Sequence, residues 1–188
     1  MIFSSIDFFY FFAGYFFLHV ITPSKYRLYL IIFGSLVFYA AWRVEYVWIP
    51  LFLTFISYLG INWILAPSSE IPKKYKLIAV LIALYLPLLF FKYTDFFYQD
   101  VLGIVIETQG PILDLVLPLG VSFITFTLTA YIVDIYTGRY DGPVSLPTLL
   151  GYVLFFPQLI AGPILRPSEL VPQLEKPRPV FSPRFAVG

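Results

Sequence analysis

Cysteine is absent from this 188-residue chain, which excludes disulfides, thiolate catalysis and zinc held by sulfur. Charge is scarce as well: 12% of residues are charged, where a soluble domain carries roughly a quarter. The formal net charge of +1 excludes the broad basic surface that a nucleic-acid partner requires. No internal repeat and no phosphate-cradling glycine loop is visible. The acidic residues Asp95, Asp100, Glu107 and Asp114 have neither the spacing nor the rigid loop of a cation site. What remains is 60% hydrophobic and 21% aromatic, with a mean hydropathy of +0.85. These values predict an all-α polytopic transmembrane protein, and the length fits one domain over residues 1–188.

About five to six hydrophobic segments follow from the positions of the charges. Phe8 to Ser24 is a first transmembrane helix, because no basic stretch or small-residue cleavage site marks it as a signal peptide. Leu28 to Trp42 is a short second run, and Tyr46 to Ala66 is a third with Pro50 in its first turn. Leu77 to Phe91 is a fourth, where Pro87 predicts a kink. Between Phe96 and Asp114 the pattern loosens into a short interfacial helix and a loop. Leu115 to Val133 is the fifth run and Gly142 to Leu165 the sixth.

Lysine and arginine set the orientation. Lys25 and Arg27 join the first two runs, and Lys73, Lys74 and Lys76 join the third and fourth. The positive-inside rule places both joins in the cytoplasm and the N-terminus outside. Strict alternation would then put Arg166, Lys176, Arg178 and Arg184 outside, against the rule. The sixth run resolves the conflict. Pro143, Pro147, Gly151, Pro157, Gly162 and Pro163 make it a poor continuous helix, so it is expected to be broken or re-entrant, with the tail cytoplasmic.

Polar and helix-breaking residues at membrane depth are costly unless protein or a cavity surrounds them, so they also mark candidate sites. On a helical wheel Ser122, Thr125, Thr129 and Tyr136 share one arc of the fifth run, and Thr127, Tyr131 and Asp134 gather on another. Two readings stay open: helix packing through hydroxyl bonds, or a polar conduit. Asp134 is either solvated at the interface or held by a partner, for which Arg139 and Arg166 are the candidates. Gln158 and Arg166 complete the cavity set. Pro118, Gly120, Pro157, Gly162 and Pro163 are the backbone-shaping residues. No metal ligand set and no cofactor is expected.

Three blocks carry a resemblance: Pro118-Leu119-Gly120-Val121-Ser122-Phe123-Ile124-Thr125-Phe126, then Tyr131-Ile132-Val133-Asp134-Ile135-Tyr136, then Phe155-Phe156-Pro157-Gln158-Leu159-Ile160-Ala161-Gly162-Pro163-Ile164-Leu165-Arg166. In this order they resemble the membrane-bound O-acyltransferase (MBOAT) family, in its alginate O-acetyltransferase-like branch. Met1 to Ser5, Ser35 to Trp42 and Phe90 to Tyr93 agree with that branch. A D-alanyl-transferring relative has a similar last block, but Pro157-Gln158 and Ala161-Gly162 favour the alginate-like one.

The resemblance implies acyl transfer, acetyl in the first instance, to hydroxyls of an exported polysaccharide such as alginate, in a bacterial inner membrane. Its implied partners are the lipid bilayer, the polysaccharide acceptor, an acyl-donor carrier and periplasmic acetylation proteins; the acyl donor stays open. It also implies a catalytic histidine well downstream of Gly162-Pro163. The only histidine here is His19, in the first run, where helix packing or an interfacial place is the better reading. The chain is therefore expected to be the N-terminal portion of such an enzyme, without a catalytic residue of its own. Two alternatives from other classes are a non-catalytic channel or carrier component and a short protein that helps assemble a full-length partner.

Topology gives the first test. In this cysteine-free background, Ser182→Cys should resist a membrane-impermeant maleimide applied from outside and react after permeabilisation. Ready labelling from outside would remove the re-entrant sixth run.

Overall fold

The computed structural model describes residues 5–67, 70–96, 117–159, 162 and 165–176. Among them only helices and turns occur. The expected interfacial helix after Phe96, Pro163 and the tail from residue 177 lie outside the described residues. Helices α1 (Ile6–Ile21), α2 (Ser24–Ala40), α3 (Trp48–Leu65), α4 (Lys73–Phe96), α5 (Val121–Tyr136), α6 (Leu146–Leu154), α7 (Phe156–Leu159) and α8 (Pro167–Glu175) follow in order, with a 3-10 turn over Val44–Tyr46.

Two antiparallel hairpins form the first half. In α1/α2, Tyr15 lies against Gly34, and Phe8 and Phe11 meet Phe38 with ring centroids 6.0 Å apart in each pair. In α3/α4, Gly60 lies against Val80, and Tyr46 meets Phe91 at the far end. Small residues at these crossings let the helices approach closely, as expected where lipid offers no hydrophobic drive for helix association. Helix α5 packs on α3 and α4, and α6 packs across α2 and α3. Core side chains such as Leu53, Leu84, Leu128 and Leu149 are buried. The stretches Val44–Leu65 and Lys73–Thr94, 22 residues each, are long and apolar enough to cross a membrane. Helices α1 and α5 have 16 residues, or about 24 Å at 1.5 Å per residue, shorter than a hydrocarbon core of about 30 Å.

Two expected boundaries move, and the sixth run is broken as expected. The fourth run was expected from Leu77 to Phe91, but α4 spans Lys73–Phe96 and continues through Pro87, so the three lysines form its first turn instead of a loop. The fifth run was expected from Leu115, but α5 starts at Val121 because Gly120, at φ 64°, takes a left-handed conformation that turns the chain into the helix. The sixth run divides into α6 and α7.

The basic residues also serve as caps. The last carbonyls of a helix have no partner in their own helix and carry its negative dipole end. Lys76 Nζ donates to the carbonyls of Trp63 at 2.9 Å and Ala66 at 3.3 Å, and its side chain is only 1% exposed. In the other hairpin, buried Arg27 donates through Nε to the carbonyl of Thr22, the C-cap of α1, at 3.1 Å. Hydrogen bonds from a charged donor stabilise by about 1.5–3 kcal/mol. Lys76→Met should therefore lower unfolding stability in detergent by about 2 kcal/mol, and exposed Lys73→Met by less than about 0.5 kcal/mol. Equal effects in thermal unfolding would reduce Lys76 to a topological charge.

Candidate functional site

The break between α6 and α7 organises the site. Ser145 caps α6, accepting from Thr148 N at 3.3 Å, and Pro147 sits in the first turn, where no backbone donor is needed. Pro157 has no N–H to continue that helix, and Phe155 leaves helical geometry at φ −47°, ψ 97°. A short new turn forms, with Gln158 N donating to the Phe155 carbonyl at 2.9 Å.

Side chains from α1, α2, α5 and α6 itself hold this segment. At its tip, Phe156 N donates to Ser35 Oγ of α2 at 3.3 Å. The Phe156 ring packs on Tyr15, Phe11 and Phe38 at centroid distances of 5.1, 5.5 and 5.6 Å. On the entering arm, Val144 N donates to the Tyr131 hydroxyl of α5 at 3.0 Å. On the later arm, the Tyr152 hydroxyl of α6 donates to the Leu165 carbonyl at 2.7 Å. The Tyr131 and Tyr152 rings lie 6.3 Å apart. Val144 and Leu165 are thus each tied to one of two adjacent tyrosines, and Leu165 lies beside α6.

The Pro118–Gly120 turn meets the same segment. A Cβ at Gly120 would stand 3.2 Å from the Leu159 carbonyl oxygen, and one at Gly162 only 2.7 Å from Gln158 Cα. The blocks starting at Pro118 and at Phe155, remote in sequence, are in contact through Gly120 and Leu159. Pro118 takes part by accepting from Val121 N at 3.2 Å.

The polar candidates separate. Thr125 and Thr127 are fully buried, and their hydroxyls have no hydrogen-bond partner among the described residues, an arrangement that costs about 1–3 kcal/mol for a buried group. Thr129 instead returns its hydroxyl to the Thr125 carbonyl at 2.8 Å, the packing alternative for that residue. Ser122 is half-buried and Tyr136 is exposed. Gln158 is buried beside Gly162. An open groove of about 360 Å³ is lined by Leu51, Phe52, Phe55, Leu146 and Leu150, none of them from the polar set.

Asp134 pairs with Arg139 at 3.8 Å, and Arg166 is exposed on the return arm. The cause is local. Gly138, at φ 72°, closes α5 so that Arg139 N reaches back to the Asp134 carbonyl at 2.8 Å, which brings the guanidinium over the carboxylate. With its guanidinium exposed and 3.8 Å away, the pair contributes little stability. Arg166 starts α8, its N–H donating to Glu169 Oε2 at 3.0 Å. Tyr140, in the loop after α5, has its phenol pushed above the ordinary range by burial, reinforced by the carboxylates of Glu175 and Asp141. His19 lies in the last turn of α1 with its ring 5.9 Å from that of Tyr15, a packing position.

Ser35 and Tyr152 were not among the candidate site residues, and Tyr131 entered only as a member of a polar stripe. Ser35 and Tyr131 fall inside blocks that carry the resemblance, but nothing in their spacing reveals their backbone partners.

Comparison with known proteins yields relatives over nearly the whole chain. It is 32% identical to the probable alginate O-acetylase AlgI of Azotobacter vinelandii, covering 92% of this chain and 36% of the relative. Its identity to the Pseudomonas aeruginosa protein of the same name is 33%, covering 92% and 34%. Against the peptidoglycan O-acetyltransferase of Helicobacter pylori it is 36%, covering 87% and 36%. The chain thus spans about a third of the length of these curated relatives and matches their N-terminal part. No family model and no solved structure matches it.

The glycine contacts give a graded test. Gly162→Ala and Gly120→Ala should each lower the thermal midpoint, by about 1–3 kcal/mol of stability where a backbone must shift or a left-handed residue is strained. Gly14→Ala, with nothing within 4 Å of the added carbon, should be neutral or stabilising. An unchanged midpoint for Gly120→Ala would dissolve the contact between the blocks, and one for Gly162→Ala the close turn at Gln158.

Proposed function

We propose that this chain, which groups with the N-terminal part of the membrane-bound O-acyltransferases in their alginate O-acetylase branch, contributes the substrate-side scaffold of a bacterial inner-membrane enzyme that moves acetyl groups onto hydroxyls of an exported polysaccharide. The observation that carries this reading is the contact at Gly120 and Leu159, which unites the two blocks with the strongest resemblance around one broken, returning segment. All three relatives described above are acetylating enzymes by name, which favours acetyl over D-alanyl transfer. Alginate and peptidoglycan both stand as models for the acceptor.

Within this reading the base that takes the hydroxyl proton comes from outside these residues, since the sole histidine, His19, is packed in α1. Arg166 supplies a fixed positive charge toward the acyl donor or the developing oxyanion. Gln158 shapes the floor of the turn. The basic ends of α2 and α4 face the cytoplasm, and an acyl-donor carrier and periplasmic acetylation proteins are the partners.

Expressed alone, the 188 residues should acetylate no polysaccharide above a vector control. Joined in frame to the remaining part of the Azotobacter relative, they should do so. In that chimera Arg166→Ala and Gln158→Ala should each reduce transfer by about tenfold or more, with Ser68→Ala close to the parent. Transfer by the isolated chain would overturn the assignment of His19. Normal transfer by both variants at normal abundance would make the last block a packing motif.

A further inference from the structure

The return arm of the broken segment accepts a side-chain hydrogen bond from the last turn of the entering helix. Tyr152 is 1% exposed, and its hydroxyl donates to the Leu165 carbonyl at 2.7 Å. Its ring packs 6.3 Å from that of Tyr131, whose own hydroxyl is occupied by Val144 N. The phenol therefore has a fixed direction, and the carbonyl it holds belongs to the residue before Arg166. The Arg166 side chain is exposed, so burial does little to fix it. Its position is set through the backbone: α8 docks on α6 through buried Leu170, Val171 and Leu174, while the Tyr152 bond holds the residue before Arg166 and the Glu169 carboxylate accepts from its own N–H.

We propose that Tyr152 is a positioning residue: its hydroxyl ties the return arm to the entering arm and so fixes where the Arg166 guanidinium is presented to the substrate. In water the Leu165 carbonyl would find another donor at little cost. Beside a buried tyrosine, loss of the hydroxyl leaves an acceptor whose nearest alternative is reached only by moving the arm. Tyr152→Phe removes one oxygen while keeping the ring against Tyr131, which separates the tether from the packing. The catalytic consequence rests on the acyltransferase reading above; the geometric one does not.

Two measurements test it. Nitroxide labels at Ser24→Cys and Ser168→Cys, both exposed positions in a chain with no native cysteine, report the distance from the start of α2 to the return arm by double electron–electron resonance. The parent should give a narrow distribution, Tyr152→Phe a broadened or shifted one, and Tyr131→Phe, which touches only the entering arm, the parental one. In the acetylating chimera Tyr152→Phe should lower kcat by about tenfold, as misplacement of a charged group does, with KM for the polysaccharide changed less than about twofold. An unchanged distribution in Tyr152→Phe overturns the tether. Parental kcat alongside a broadened distribution overturns the positioning role. If the unsubstituted chimera transfers nothing, the acyltransferase reading falls, while the distance measurement still judges the tether.

Discussion

Every free backbone donor or acceptor at membrane depth must find a partner within the protein, and that requirement governs how this chain is arranged. A continuous helix meets it alone. The chain around Phe155 cannot, because that residue leaves helical geometry and Pro157 has no N–H to continue the ladder. Ser35, Tyr131, Ser145 and Tyr152 supply the missing partners, from three different helices and one cap. These bonds explain why α2 and α5 lie against the segment: each carries a hydroxyl that the broken backbone needs. The caps at Arg27 and Lys76 answer the same requirement at helix ends.

Much of this arrangement was legible beforehand, for identifiable reasons. Helix periods and proline positions speak through local geometry, so Pro50 in the first turn of α3 and the break before Pro157 followed directly from the sequence. Charge balance led to the expectation that the sixth run is broken, and the structure shows the helix ending at Leu154, with Tyr131 and Tyr152 bonded to backbone on either side of the break. The Asp134 partner was narrowed to two arginines but no further, because the choice depends on how Gly138 closes α5.

What escaped notice was long-range and polar. Lys76 reads as an ordinary cytoplasmic lysine, and only the antiparallel return of α4 brings its ammonium to the carbonyls of Trp63 and Ala66. Ser35 reads as one small residue in an apolar helix, yet it receives an N–H from a residue 121 positions away. A stripe of hydroxyls on a wheel likewise does not say which are consumed by their own helix: Thr129 is bonded locally, whereas Thr125 and Thr127 are buried without a hydrogen-bond partner among the described residues.

The packing of α1 carries a consequence for biosynthesis. None of its residues is buried, and its aromatic rings find much of their company in Phe156. During translation α1 is made before α2 to α6, and Phe156 only after them. The hairpin α3/α4, by contrast, can close as soon as its own residues have emerged. Helix α1, made well before this partner, therefore settles late, and until then Phe11 and Tyr15 must be tolerated by lipid or shielded by the insertion machinery.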